Sequence, residues 1–565
     1  MPDPSVKTVL QLAHIDETGD SYYRMRWPAR ELARQNPDWR VINLSANASE
    51  RFAWGEQADL LVLFQSNDMD LIPVIRARKK RGLKTLVEYN DNFYDTPAAA
   101  PVARAWSSPL IWQAYERMMR EADGLIVTCP ALANLFAGKS LRPAVVLENL
   151  LPEAPAPFES NWREPGPDIN LGWAGSLGHM ADFLAIVPVL QRLLGKYPGL
   201  KLHLMGNRAI PGMLNMPKGR VFFTEFSGMH EYMAFWKPVQ IGLAAMLNTE
   251  YNRCRSDVKA LEMAASSVLP VLPGLPPYQA FIKSAGLDSW KNLTELEALL
   301  ERYMSQTAAL AGQARRAWQS CQSRVESAQH ARSDLYRAHL PAGQPASFKW
   351  PCESGYHEIA GTAEKQGRRQ IIMSAMEQHL KNKDPGKALD GVRPELDRHP
   401  DDPDLLLAFI HCASRTGKQD LAETATRGAK LYPADLRFEL ALAQLDKTGG
   451  PVSLWQSVVR KLEQGREAYR EFFAAPVLRV FGPAFRGNSE LVDCARRLLR
   501  LYPSSLILLF EFAGFHQRSG ETKKALEYFE KLDYLQRQHS LLQSCGAAFD
   551  WGYVETWIAA LRAGG

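Results

Sequence analysis

The sequence predicts an α/β protein: two Rossmann-like, doubly wound domains in tandem, followed by an all-α helical array. Three observations lead there. Short apolar strands alternate with helical segments through the first part of the chain, and the alternation restarts after a break rich in proline and glutamate at 152–167. From about Arg368 onward the strand signal stops and helical periodicity takes over. The expected division is a first Rossmann-like domain at 1–155, a second at 165–340, a linker at 341–367 and helical repeats at 368–565.

Val6 to Ala13 is the first strand candidate. A polar loop with Gly19 follows, then a helix from about Arg24 to Gln35. Leu60 to Phe64, Thr85 to Glu88 and Gly124 to Thr128 are further strands, each separated by a helical stretch, which implies a parallel sheet covered on both faces. The second series runs through strand Ile169 to Trp173, helix Asp182 to Leu194, and strands Lys201 to Met205, Val221 to Thr224 and Ile241 to Ala244. It ends with a helix after Ser256 and strand Val268 to Leu272. Two such domains place a ligand cleft at the carboxyl ends of their strands. The proline- and glycine-rich stretch from Pro341 to Gly361 reads as the linker. In the last part, Pro400, Pro433 and Pro503 follow His or Tyr at helix ends, 33 and then 70 residues apart, with Ala388 and Leu421 each 12 residues before a proline. A period near 34 resembles tetratricopeptide repeats, although the usual Trp, Leu-Gly and Tyr positions are mostly replaced; a generic helical array is the alternative.

Composition narrows the function classes. Sixty-seven Lys and Arg against 62 Asp and Glu leave a net charge of +5, with Arg76 to Arg81 the one short basic run, so no nucleic-acid surface is expected. Seven scattered cysteines without a CxxC pair suggest neither zinc nor a disulfide framework, and fit a reducing, cytoplasmic compartment. No apolar run approaches the roughly 20 residues that span a bilayer.

Two stretches carry chemistry. Glu250-Tyr-Asn-Arg-Cys-Arg-Ser-Asp-Val-Lys-Ala-Leu-Glu262 reads as a basic loop and a helix opening near Ser256, with Glu262 about 9 Å further along the axis. Arg253, Arg255, Lys259 and the helix start suit a diphosphate, and the Glu262 carboxylate suits ribose hydroxyls. The same pattern also describes a solvated amphipathic helix. Leu171-Gly-Trp-Ala-Gly-Ser-Leu-Gly-His-Met-Ala-Asp182 is a strand, a glycine turn and a helix. Gly175 permits close backbone approach, and Ser176 and His179 present polar groups to a phosphate or sugar hydroxyl. Its glycine spacing is neither a Walker loop nor a dinucleotide fingerprint, and a plain strand-to-helix turn with Asp182 as helix cap is the bland reading. Asp68-Met-Asp70 reads as a helix cap rather than a metal site, and no metal is expected. His14, at the end of the first strand, faces either the cleft or the packing. No nucleophile elbow is present.

Residues Pro167 to Leu272 resemble the donor domain of GT-B glycosyltransferases, narrowly the retaining family that includes sucrose synthase and bacterial polysaccharide enzymes. The resemblance rests on Gly-Trp-Ala-Gly-Ser with His179, on Lys201-Leu-His-Leu-Met-Gly206, and on Asn252 to Ala265. That family carries two glutamates with seven residues between them; Glu262 matches the second, while Cys254 stands at the first. The resemblance implies a nucleotide-diphosphate sugar as co-substrate with no tightly bound cofactor, and diphosphate contacts at Arg255 and Lys259. It places the base beside Met205 to Asn207, Gly206 included, and beside Thr224 to Phe226. The first domain resembles the acceptor half more weakly, through Gly19 to Pro28, Glu88-Tyr-Asn-Asp-Asn-Phe93, Ala122 to Leu132 and Val146-Leu-Glu-Asn149. Asp91 and Arg24 are the acceptor-side catalytic candidates beside His179; a turn cap and a surface cation are their ordinary roles. The function expected is a hexosyltransferase-like enzyme with a protein acceptor, resembling bacterial flagellin-modifying transferases, held by the repeat domain. A polysaccharide or lipid-linked glycan acceptor is one rival, and a non-catalytic repeat scaffold another.

Overall fold

The computed structural model describes residues 6–14, 19–96, 106, 109–151, 154–206, 210, 219–328, 330–343, 348–362, 368–416, 421–433, 435–445, 457, 460–461, 496–497, 499–500, 506–538 and 558–562. The chain divides into two compact units: residues 1–101 with 113–364, and residues 102–112 with 365–565.

The first unit holds two parallel sheets. In the first, β1 (Lys7–Ala13), β2 (Trp39–Ser45), β3 (Leu60–Phe64), β4 (Lys84–Tyr89), β5 (Gly124–Val127), β6 (Val145–Val146) and β13 (Gly355–Ile359) lie in the order β13-β2-β1-β3-β4-β5-β6. Strands buried on both faces explain why they read as continuous apolar runs: Val9, Leu10, Leu60, Leu61, Val62 and Leu63 are all solvent-free. Strand β2 was not among the expected strands, because Arg40 and Asn43 interrupt its apolar pattern. Both are buried and tied into the sheet: Arg40 donates to Cys352 O at 2.7 Å and Thr8 Oγ1 at 2.8 Å, and Asn43 Oδ1 accepts from Gln11 Nε2 at 2.8 Å.

The expected linker at 341–367 differs as well. Its segment Gly355–Ile359 pairs in parallel with β2 from Gly355 opposite Arg40 to Ile359 opposite Leu44, extending the first sheet. None of its five residues is buried, so among glycines and prolines it shows neither an apolar run nor an alternating pattern. Residues at the end of the expected second domain also serve the first sheet. Helix Ala331–Arg337 supplies Tyr336, whose hydroxyl donates to Gln11 Oε1 at 3.0 Å, and Ser333, which accepts from Asn36 Nδ2 at 3.0 Å. Its Arg332 donates to Glu88 Oε2 at 2.7 Å.

The second sheet consists of β7 (Ile169–Ala174), β8 (Leu200–Gly206), β9 (Val221–Glu225), β10 (Ile241–Leu243), β11 (Leu269–Pro273) and β12 (Ser289–Trp290), ordered β12-β11-β10-β7-β8-β9. Helices Met180–Lys196, Val258–Ala265 and Leu310–Ala328 cover it, and their apolar faces join one core around Trp173, Phe183, Leu190, Leu261 and Cys321. The break at 152–167 contains a short helix, Phe158–Asn161, whose Phe158 is buried in the same core.

In the second unit, helices Arg368–Lys381, Pro385–Arg398, Pro403–Thr416, Leu421–Leu431 and Leu436–Leu445 pack in succession, and Leu506–Arg518 packs on Thr522–Gln538. No strand occurs among the described residues from 368 onward. Pro400 and Pro433 lie between helices, where a residue without an N–H ends one helix before the next begins; Pro503 lies outside the described residues. Asp384 opens one helix by accepting from Lys387 N at 3.1 Å, and Asp402 Oδ1 caps the next by accepting from Leu405 N at 3.0 Å. Val392, Leu405, Leu406, Cys412, Ala425 and Phe438 form the core between them.

Two consequences are measurable. Arg78 is solvent-free and donates to the carbonyls of Gly55, Ala58 and Lys84, each at 2.6 Å, so one cation ties the end of helix Arg51–Gln57 to the start of β4. Arg78→Met leaves those carbonyls unpaired and is expected to lower stability by about 3 kcal/mol or more, read from urea unfolding. Gly428 lies against the ring of Phe438 with no room for a Cβ. Gly428→Ala is expected to cost about 1–3 kcal/mol by overpacking, read as earlier melting of the second unit while the first is unchanged.

Candidate functional site

In the second sheet the chain runs outward from β7 to β8 and β9, then returns to β10 on the other side of β7. The loops after β7 and β10 therefore leave the same edge in opposite directions and open a crevice between them. These loops carry the two stretches singled out in the sequence.

After β7 the backbone turns at Gly175, whose N–H donates to Met205 O at 3.0 Å; a Cβ there would lie 2.5 Å from Trp173 Cζ2. Gly206 at the end of β8 leaves no room for a Cβ beneath the Gly175 carbonyl, so the two glycines let the strand ends close on each other. Ser176 is exposed on this turn, and Thr224 is exposed at the same end of β9, one register position before Gly206. Asn207 lies outside the described residues. His179 is buried, with Nδ1 3.2 Å from Asp182 Oδ2. The carboxylate keeps the proton on Nδ1, so Nε2 is an acceptor and matches a hydroxyl rather than a phosphate oxygen. Burial lowers the His179 pKa to about 4, against its hydrogen bond to Asp182 and assisted by the Lys259 and Arg255 charges. His179 is therefore neutral at pH 7 and does not offset phosphate charge. Asp182, read as a helix cap, instead ties down the loop after β10: its Oδ1 accepts from Leu247 N and Asn252 Nδ2, both at 2.8 Å.

The expected basic loop is folded. Thr249 caps a short helix, Glu250–Arg253, which turns Arg253 outward to Asn248 Oδ1 at 2.8 Å and Glu250 at 3.5 Å. The following helix, Val258–Ala265, opens at Asp257 rather than Ser256, and Arg324 grips the Asp257 carboxylate. Ser256 Oγ accepts from Asn149 Nδ2 at 2.9 Å. Lys259 Nζ donates to Ala174 O at 2.7 Å, which brings its ammonium to the glycine turn; burial lowers its pKa while Glu262 opposes. Arg255 lies over the Tyr251 ring, 5.3 Å from its centre, and pairs with Asp91 at the end of β4 in the first sheet. Burial works against the Arg255 charge, but Asp91, Tyr251 and Asp20 outweigh it and hold the guanidinium charged. Burial and the neighbouring Asp20 raise the Asp91 carboxyl, with Arg255 opposing.

Glu262 is buried, and both oxygens are engaged: Tyr23 donates to Oε1 at 2.7 Å and Tyr232 to Oε2 at 2.6 Å. Cys254, where the resemblance expects a glutamate, is 5 % exposed and its thiol is pushed up to about 12 by burial, so it supplies no anion. Arg24 is neither a surface cation nor a group presented to a ligand. It is solvent-free, with Nε 2.5 Å from Glu88 Oε1 and one terminal nitrogen donating to Leu147 O at 2.8 Å and Asn149 Oδ1 at 2.9 Å. Asp68 accepts from Asp70 N at 3.0 Å and pairs with Arg51 at 2.9 Å, the cap read from the sequence. His14 is exposed at the end of β1.

The fold thus gathers Gly175, His179, Arg255, Lys259 and Asp91 at one crevice and keeps Glu262 beneath it. Arg24 and Arg253 are directed elsewhere. Sequence reasoning passed over Tyr23, Tyr232, Tyr251, Asn149 and Asn252. The adjacent Tyr22 and Tyr23 in a polar loop were a signal, but the partner of Tyr23 lies 239 residues away. Clefts of about 630 and 530 Å³ flank Tyr23.

The His179 environment has a pH signature. Its folded pKa lies below the unfolded value of about 6.5, so its contribution is fully present above pH 6.5 and is lost as pH falls toward 4. Stability is expected to drop by about 2 kcal/mol from pH 7 to pH 5 on account of this group. Urea unfolding of His179→Gln should show a correspondingly flatter pH slope; an unchanged slope contradicts a neutral buried imidazole.

No protein-family model matches the chain, and no curated protein matches it. Among solved structures it is similar to sucrose-phosphate synthase from Thermosynechococcus elongatus, at 12% identity and TM-score 0.42, covering 59% of this chain and 98% of that one. It is similar to the Anabaena protein HepE in complex with UDP and glucose, at 11% identity and TM-score 0.43, covering 59% and 100%. It is also similar to a mutant O-GlcNAc transferase from Thermobaculum terrenum, at 15% identity and TM-score 0.38, covering 60% and 68%.

Proposed function

We propose that the chain is a glycosyltransferase that takes a sugar from a nucleotide diphosphate and passes it to a protein acceptor held by the helical repeats. The observation that carries this reading is the meeting of Lys259 and Arg255 with the Gly175 turn at the carboxyl edge of the second sheet, facing Asp91 from the first. A diphosphate fits there chemically. The glycine turn offers backbone approach, Lys259 and Arg255 offer charge in a site poor in water, and the acceptor face of His179 suits a hydroxyl of the sugar.

In this mechanism the diphosphate replaces Asp91 as the partner of Arg255. The bond between the anomeric carbon and phosphate oxygen breaks as the acceptor oxygen bonds to that carbon, and Lys259 and Arg255 stabilise the charge left on the diphosphate. The acceptor proton passes to a leaving phosphate oxygen or to the released Asp91 carboxylate. Retention, which the family resemblance implies, favours the first route. A helical array offers an extended groove suited to peptide, which supports a protein acceptor such as flagellin over a glycan.

A thermal-shift screen with UDP, GDP, CDP and ADP tests the reading. At least one is expected to raise the melting temperature, with Arg255→Ala and Lys259→Ala each weakening binding roughly tenfold or more. Absence of any shift would favour a non-catalytic scaffold. With a binding nucleotide in hand, transfer of labelled sugar to flagellin rather than to lipid-linked glycan is the expected outcome; transfer to glycan alone ends the protein-acceptor proposal.

A further inference from the structure

Glu262 is held by two tyrosines of different origin. Tyr232 belongs to helix Met229–Phe235 of the same half, whereas Tyr23 reaches in from the turn that follows β1 of the first sheet. That turn, Ser21–Arg26, is wound as a π-helix, with Trp27 N–H donating to Tyr22 O. Such wide turns carry weaker, more easily rearranged hydrogen bonding and recur at functional sites. Tyr23 lines both a cleft of about 630 Å³ and one of about 530 Å³, so open space adjoins it. Its hydroxyl is buried and neutral, so it is a hydrogen-bond donor to the carboxylate, as a sugar hydroxyl would be.

We propose that Tyr23 is a specificity-determining residue: its hydroxyl stands in for a pentose hydroxyl on Glu262 Oε1 and gives way only to a nucleotide whose ribose supplies that donor. This rests on the nucleotide-dependent reading above and adds a residue to it. Tyr232 stays on Oε2 throughout and keeps the carboxylate oriented. A nucleotide lacking the hydroxyls gains nothing by displacing Tyr23, because Oε1 would be left buried without a donor, and sites built for a hydroxyl reject analogues without one far more strongly than sites built on shape.

The test uses the full chain. The dissociation constant of whichever of UDP, GDP, CDP and ADP binds is measured for wild type and Tyr23→Phe, together with the 2′,3′-dideoxy counterpart. Removing the competing hydroxyl is expected to tighten the ribonucleotide roughly five- to tenfold and leave the dideoxy compound unchanged. A Tyr23→Phe protein that binds the ribonucleotide as wild type does, or more weakly, overturns the stand-in while leaving nucleotide binding intact; no binding by either protein overturns both. In wild type alone, hydrogen exchange over residues 19–26 is expected to quicken when the ribonucleotide is added, and slower exchange there also overturns the proposal, whether or not Tyr23→Phe folds.

Discussion

The carboxylate of Glu88 is the constraint around which the first unit is arranged. It lies solvent-free at the end of β4, where an unpaired charge would be costly, and it is held by two guanidinium groups from separate segments. Arg24 comes from the turn after β1, next to Tyr23; Arg332 comes from the helix that returns from the second sheet. Arg24 extends the network to Asn149, and Asn149 to Ser256 at the head of the site helix. One buried anion thus links the core of the first sheet to the candidate site in the second. Arg24 is solvent-free and its charge is matched by Glu88, which is why it has none to spend on a ligand.

The strands of both sheets were largely legible because strands covered on both faces are written as apolar runs, and Leu60–Phe64 coincides with its expectation. Where burial was achieved with polar side chains, the signal failed: Arg40 and Asn43 made β2 look like loop, and Gly355–Ile359 looked like linker. In the site, the glycine turn and Lys259 could be found from spacing, because local geometry decides them. The partners of Glu262, Arg255 and Arg24 could not, since each is set by contacts between segments far apart in sequence. Asp182 shows the difference clearly. Its position invites a cap, yet the donors it satisfies belong to Leu247 and Asn252.

Desolvation divides the labour of the site. It keeps His179 neutral and the Cys254 thiol protonated, while Arg255 retains its charge because Asp91, Tyr251 and Asp20 surround it. A partly buried cation held beside an anionic partner has had part of the cost of leaving water met by the fold. The same logic applies to Glu262, which waits buried with its hydrogen bonds made.

Strand β13 marks where the first unit ends. Beyond its pairing with β2, Thr362 O accepts from Ser49 N at 2.9 Å and Thr362 N donates to Glu50, so the polypeptide remains stitched to the sheet as far as 362. A polypeptide cut at 340 would bare the flank of β2 as a row of unmatched amides and carbonyls, the template on which sheets join from molecule to molecule. The boundary at which the two-sheet unit can be separated from the helical array therefore lies after this strand, and cutting earlier exchanges a short, half-exposed edge strand for the fully buried β2 as the rim.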